Sequence, residues 1–174
     1  MAESAFFVPV PEAEPWVRFL RERYDPVASL GVPAHITVLV PFMSPELITE
    51  PVLAKIIDII QPIKSFEFTL QRVARFPETV YLIPEPAEPF ISLTAALVRE
   101  FPDYPPYSGR FPEVAPHLTV ADRSAELSSV AEVELAVIMK ERGPIHAKCD
   151  LIELFENSGG RWRRAHSFPL PGDV

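Results

Sequence analysis

His35-Ile36-Thr37-Val38 and His117-Leu118-Thr119-Val120 are the two stretches on which the reading of this chain turns. Both are His-x-Thr-Val with x aliphatic, and they lie 82 residues apart (35 to 117). Side chains two apart in a strand share a face. As a strand, each tetrapeptide therefore presents an imidazole and a hydroxyl together and turns Ile36 or Leu118 toward a core. The pattern reads as two half-sites, each a proton carrier beside a hydrogen-bond donor.

The duplication runs past the motif. Aligned at the same offset without a gap, residues 35–63 match 117–145 at nine of twenty-nine positions, where unrelated segments match at about two. Beyond the motif the matches include Leu53 with Leu135, Ile56 with Ile138 and Pro62 with Pro144. A unit that cannot bury its apolar face alone packs against its copy. The spacing thus predicts two motif strands that meet near a pseudo-twofold axis.

Working outward, Ala5 to Val10 reads as a strand ended by Pro11, and Pro15 opens a short helix through Trp16, Leu20 and Tyr24. Residues 26–33 read as loop. After the first motif strand, Pro51 leads a helix with Leu53, Ile56, Ile57 and Ile60 on its apolar face, stopped by Pro62. Phe66, Phe68 and Leu70 alternate as a strand that pairs with Thr79 to Ile83. A helix from Pro89 to Glu100 and a loop through Pro102, Pro105, Pro106 and Pro112 lead to the second motif. There follow a helix from Leu127 to Arg142 with Gly143-Pro144 as its stop, one strand from Ile145 to Glu156, and a last strand from Arg161 to Leu170. The expected fold is α+β, a single two-lobed domain with motif-bearing halves at about 35–84 and 117–170. The 21 prolines fall at element ends, which predicts rigid loops rather than a linker.

At 174 residues and 48% hydrophobic, the chain can bury a sizeable core. No stretch approaches about eighteen uninterrupted apolar residues, and residues 1–5 lack the basic start and apolar run of a secretory signal. A soluble, cytoplasmic protein is expected. Cys149 is alone, so no disulfide or thiolate metal site is expected and the residue reads as a small buried hydrophobe. His146 and His166 fall outside the repeat, on what read as neighbouring last strands, with no metal-ligand spacing around them. The 24 acids against 16 bases give a net charge of −8 without any basic stripe, which makes long nucleic acid a poor partner. A small phosphorylated ligand needs only one local cluster, for which Arg161, Arg163 and Arg164 are the candidates.

Two imidazoles acting together can take a proton from an attacking oxygen and give one to a leaving oxygen, since an unperturbed histidine pKa of about 6.5 allows both forms near neutrality. Phosphodiester cleavage needs both events. Two threonine hydroxyls would donate to the non-bridging oxygens as charge develops there. The scheme calls for neither metal nor cofactor.

These motifs resemble the signature of the two-histidine phosphoesterases, a superfamily that includes 2′-5′ RNA ligase-like proteins, cyclic nucleotide phosphodiesterases and RNA-processing enzymes. That signature is a duplicated His-x-Ser/Thr-x, with x apolar, about eighty residues apart. HITV at 35–38 and HLTV at 117–120 both match it, and the order of elements follows across nearly the whole chain. The resemblance implies two pseudo-symmetric lobes, each an antiparallel sheet with helices, around a central cleft holding His35, Thr37, His117 and Thr119. It also implies activity on 2′,3′-cyclic phosphates or 2′-5′ linkages. The acidic balance then favours a small nucleotide, and a metal-independent phosphodiesterase is the leading expectation. RNA-end ligation or trimming is the alternative among enzymes, and a non-catalytic nucleotide-binding module is the alternative outside them. The same offset aligns Tyr81 with Arg163 as candidate contacts to base or phosphate, packing being the other role open to Tyr81.

Overall fold

Proline and helix caps divide the chain into short strands and amphipathic helices, described for residues 1–172 of a computed structural model. Strand β1 (Ser4–Pro9) gives way at Pro11 to a 3-10 turn and then to α1 (Glu14–Tyr24). A single helical turn, α2 (Pro26–Ser29), follows where the sequence reads as loop. Asp25 starts it, Oδ1 accepting from the Val27 amide at 3.2 Å, which is the ordinary work of an aspartate at a helix N-cap.

Next come β2 (His35–Phe42), α3 (Glu50–Ile60), β3 (Phe66–Arg75), β4 (Thr79–Glu85) and α4 (Glu88–Glu100). The second motif opens β5 (Leu118–Asp122), whose ladder begins one residue after His117. Helix α5 (Ala125–Arg142) is capped by the Ser124 hydroxyl and ends at Gly143, whose φ of 78° suits a residue without Cβ. Strands β6 (Ile145–Cys149), β7 (Leu151–Glu156) and β8 (Arg163–Pro169) complete the chain.

The strands form two four-stranded sheets, in the orders β2-β1-β7-β8 and β5-β4-β3-β6, with every neighbouring pair antiparallel. The expected α+β architecture holds, and β3 pairs with β4 as read. One boundary differs. The single strand expected from Ile145 to Glu156 breaks at Asp150, so that β6 pairs with β3 in one sheet and β7 joins β1 and β8 in the other. His146 and His166, expected as neighbours, consequently belong to different sheets, opposite Thr69 and Leu154 respectively.

Both motif strands are sheet edges, and each lies beside the strand that begins its own unit, β1 for β2 and β4 for β5. The helices cross between sheets. Helix α1, which follows β1, packs on β5 and α5; α4, which follows β4, packs on β2. One continuous core results, in which Ile36, Val38, Leu118 and Val120 of the motif strands meet Leu20 of α1 and Leu97 of α4. Fully burying aliphatic side chains of this size is worth roughly 1.5–3 kcal/mol each, so each sheet draws stability from a helix of the other unit. Cys149 is buried in that core, and its surroundings push the thiol up to about 12, which makes it unreactive.

A second, smaller cluster backs the first motif: Ala5, Phe7, Val32 and Phe155, with Trp162 packed against them. Gly31 permits this arrangement. Its φ is +101°, and a Cβ there would lie 2.7 Å from the Trp162 carbonyl oxygen. Gly31→Ala combines an unfavourable φ with that close approach and is expected to destabilise the protein by about 2 kcal/mol. A lower denaturation midpoint at unchanged slope would show it, and an unshifted midpoint would show that the loop gives way freely.

Candidate active site at the junction of two sheet edges

The alternation read in the motifs is present in space. His35 and Thr37 are half-buried while Ile36 and Val38 are buried, and His117, Leu118, Thr119 and Val120 repeat the order. Strands β2 and β5 touch where the two sheets meet. His35, Thr37, His117 and Thr119 therefore belong to one junction.

Each imidazole is anchored the same way. Nδ1 of His35 lies 2.8 Å from the Pro33 carbonyl oxygen, and Nδ1 of His117 lies 2.7 Å from that of Ala115. A carbonyl only accepts, so Nδ1 carries the hydrogen in both neutral rings and Nε2 keeps its lone pair. The segment entering β2 is tied down in turn. Glu14 Oε1 accepts the Ala34 amide at 2.8 Å, and Arg21, 2% exposed, donates to the Val32 carbonyl at 3.1 Å and to Asp25 at 2.9 Å. From the other side, the Thr94 hydroxyl of α4 donates to the Val38 carbonyl at 2.7 Å.

The two histidines sit in different fields. Burial, then the nearby Arg21 guanidinium, push the His35 pKa down to about 3 against the support of the Pro33 carbonyl; the charge on His117 pushes the same way. The charge on His117 is thus felt at His35, across the junction of the two edge strands. Burial also lowers His117, but the Ala115 carbonyl and the Asp122 carboxylate both favour its charged form.

Aromatic rings flank both. Phe7, opposite Thr37 on β1, has its ring centroid 4.2 Å from that of His35 and 5.9 Å from that of Trp162. Tyr81, opposite Thr119 on β4, lies 5.1 Å from His117, and Phe76, 41% exposed, meets that imidazole edge-on at 5.7 Å. The partner of Tyr81 under the pseudo-symmetry is thus Phe7. Arg163, its match by sequence offset, begins β8 at the far edge of the other sheet, where it is paired with Glu156. The two companion arginines are also engaged, Arg164 by Glu153 at 3.1 Å and Arg161 by the Ser29 carbonyl at 2.9 Å.

Sequence reasoning did not single out Phe7, Glu14, Arg21, Trp162 or Tyr107. A signal for Arg21 was present: it shares the buried face of α1 with Val17, Leu20 and Tyr24, at a spacing where an unpaired guanidinium would be costly. Tyr107 comes from the proline-rich segment before β5, which packs on β2; burial raises its phenol pKa, and the Thr37 side chain lowers it. No periodicity points to it.

Residues 9–161 match the 2′-5′ RNA ligase superfamily. The chain belongs to that superfamily. A search among curated proteins finds no match. Among solved structures, the fold is similar to that of Escherichia coli LigT complexed with NADP+ (19% identity, 97% of each chain covered, TM-score 0.63) and of the same protein complexed with 3′-AMP (18%, 97% of each chain, 0.64). It is also similar to TT0787 of Thermus thermophilus (19% identity, 99% and 100% of the two chains, TM-score 0.60). At these identities the likeness establishes the fold, and the two-histidine resemblance drawn from the motifs agrees with it. Among the described residues, no helix is long and apolar enough to cross a membrane.

The depressed His35 pKa has a thermodynamic consequence. The folded value lies below the unfolded one of about 6.5, so the unfolded chain takes up the proton first. Stability is then complete above about pH 6.5 and is lost as the pH falls toward about 3. Urea midpoints across that window should fall less steeply for His35→Gln than for the wild type. An NMR titration placing the His35 ring near 6.5 in the ligand-free protein would contradict this electrostatic picture.

Proposed function

We propose that this chain is a metal-independent phosphodiesterase that opens a 2′,3′-cyclic phosphate, or a similar cyclic phosphodiester of a small nucleotide, by paired histidine acid–base catalysis. The observation that carries the reading is the matched anchoring of His35 and His117 at one junction, each with Nδ1 on a backbone carbonyl and Nε2 left for proton exchange. Membership of the superfamily supports the same class of chemistry. The small-nucleotide assignment draws on the net charge of −8 and on the similar LigT, which was crystallised with NADP+ and with 3′-AMP.

In this reading a water attacks phosphorus in line with the ester oxygen that leaves. One imidazole takes the water proton at Nε2 while the other, charged, gives its Nε2 proton to the leaving ribose oxygen, so that one P–O bond forms, one breaks and a phosphomonoester remains. Thr37 and Thr119 donate to the non-bridging oxygens. Burial holds both rings toward their neutral forms in the empty site, and an arriving phosphate anion raises both pKa values. His35, kept neutral by burial and Arg21, suits the base; His117, with Asp122 favouring its charge, suits the acid. Tyr81, whose ring lies against His117, would pack on the nucleoside in this reading. With a ribose hydroxyl in place of water, the same groups would run the transfer that makes a 2′-5′ linkage, the activity for which the superfamily is named.

Hydrolysis of 2′,3′-cyclic AMP in excess chelator tests the proposal. His35→Ala and His117→Ala should each lower kcat by roughly 10² to 10⁴, the usual worth of a general acid or base, and the double variant should be little worse than either single, since the two act in one step. A folded single variant that keeps more than about a tenth of wild-type activity on every cyclic phosphate tried would sink the mechanism.

A further inference from the structure

His35 and His117 are anchored alike through Nδ1, but their backbones are held differently. His35 is the first residue of β2 and pairs with Pro9 of β1. His117 stands one residue before β5, outside its ladder. The second imidazole therefore depends more on what packs against its ring. Tyr81 lies 5.1 Å from it and Phe76 meets it edge-on at 5.7 Å, while Phe76 and Tyr81 lie against each other at 4.5 Å with 34° between their planes. Both rings come from one hairpin.

Phe76-Pro77-Glu78 joins β3 to β4, and exposed loop tips of this kind are ordinarily loose. This one is fastened to the first two turns of α5. Nη1 of Arg75 donates to the Ser129 hydroxyl at 2.8 Å and to Glu132 Oε2 at 2.9 Å; Nη2 donates to the Ala125 carbonyl at 2.7 Å and, within the hairpin, to the Pro77 carbonyl at 3.1 Å. A planar guanidinium fork can serve such a set of acceptors at once, as a lysine ammonium cannot. The Glu78 carbonyl accepts from the buried Ser128 hydroxyl and from the Arg123 amide at 3.3 Å. Across the turn, the Phe76 amide donates to the Thr79 carbonyl at 2.9 Å. These bonds fix a residue that burial alone does not, since Phe76 remains 41% exposed. On the other half-site the ring against the imidazole is Phe7, which is buried in β1 and needs no such clamp.

Edge-to-face ring pairs have a preferred geometry. A fixed Phe76 thus limits rotation of the imidazole and, with Nδ1 on the Ala115 carbonyl, sets the direction of Nε2. We propose that Phe76, clamped by Arg75, is a positioning residue that, together with Tyr81, holds the His117 imidazole with Nε2 toward a phosphate anion bound between His35 and His117. The inference rests on the phosphodiester reading for its ligand class.

Inorganic phosphate titrated onto the protein, followed by the imidazole resonances of His35 and His117, provides a readout that needs no turnover. Phe76→Leu keeps an apolar side chain at an exposed position and removes only the ring. It should weaken phosphate about two- to tenfold, the worth of one edge-to-face pair, and in the free protein it should shift the resonances of His117 but not those of His35. Phe76→Tyr, which keeps a ring, should retain wild-type values, and Arg75→Lys should reproduce the loss. Added to His117→Ala, Phe76→Leu should weaken phosphate no further. On 2′,3′-cyclic AMP, Phe76→Leu should lower kcat by a similar factor and leave KM nearly unchanged. Should Phe76→Leu bind phosphate as tightly as wild type with the same kcat, the positioning role is overturned and the phosphodiesterase reading stands. A raised KM with kcat unchanged, or a further loss of phosphate affinity in the His117→Ala background, overturns it too, because the ring then acts by a route other than His117. Unchanged phosphate affinity in Arg75→Lys overturns the clamp. If phosphate follows the expected pattern but no cyclic nucleotide is opened, the reaction assignment fails and the positioning role survives. Phosphate that moves neither imidazole in the wild type overturns both.

Discussion

An edge strand carries unpaired amide and carbonyl groups, which natural proteins pair, cover or blunt. In this protein the two motif strands are edges of different sheets, and they are covered by each other and by helices from the opposite unit. Thr94 shows the arrangement at the level of one atom, its hydroxyl in α4 taking the Val38 carbonyl of β2. The edge-to-edge junction is what assembles a candidate site from residues 82 positions apart. Had either motif strand been central in its sheet, both of its sides would have been occupied by ladder partners and no second imidazole could have approached in that plane.

The anchors behind the motifs are polar, and that choice has a cost. The Arg21–Asp25 pair is almost fully buried, and buried ion pairs seldom repay their desolvation in stability. Here the pair fixes geometry: Arg21 holds the Val32 carbonyl, Asp25 starts α2, and the segment carrying Pro33 and His35 is set between them. The same guanidinium lowers the affinity of His35 for a proton. Scaffold and electrostatics are thus served by one side chain, while His117 has Asp122 in its vicinity instead. Two nearly identical tetrapeptides end in unequal electrostatic settings because Arg21 of α1 acts on the first and Asp122 of β5 on the second.

The internal repeat illustrates how far an alignment carries and where it stops. Its offset brings β3 onto β7 and β4 onto β8, and on that basis Tyr81 corresponds to Arg163. In the sheets the corresponding strands are β4 and β1, each beside its motif strand, and Phe7 is the counterpart of Tyr81. The offset holds from the motif through β3 and β7 but fails at Tyr81, because β4 opens the second unit rather than closing the first. Each sheet consequently draws strands from both sequence halves.

What the sequence determined by itself was everything that depends on neighbours a few residues away. Period-two alternation set which side of each motif strand is buried, prolines and Gly143 set where helices begin and end, and the duplicated His-x-Thr-Val identified the candidate quartet and the superfamily. Tertiary structure alone decided which strands pair. The run from Ile145 to Glu156 contains no proline or glycine to mark a break, yet it changes sheets at Asp150, where strict alternation gives way to the almost continuously buried β7, because β3 and β1 both need a partner and lie in different sheets. It also decided that Arg21 would lie near His35, that Phe7 would face Thr37 and that the segment carrying Tyr107 would pack on β2. Those contacts join residues 14 to 70 positions apart across packed layers, and no local pattern encodes a distance that only the closed core fixes.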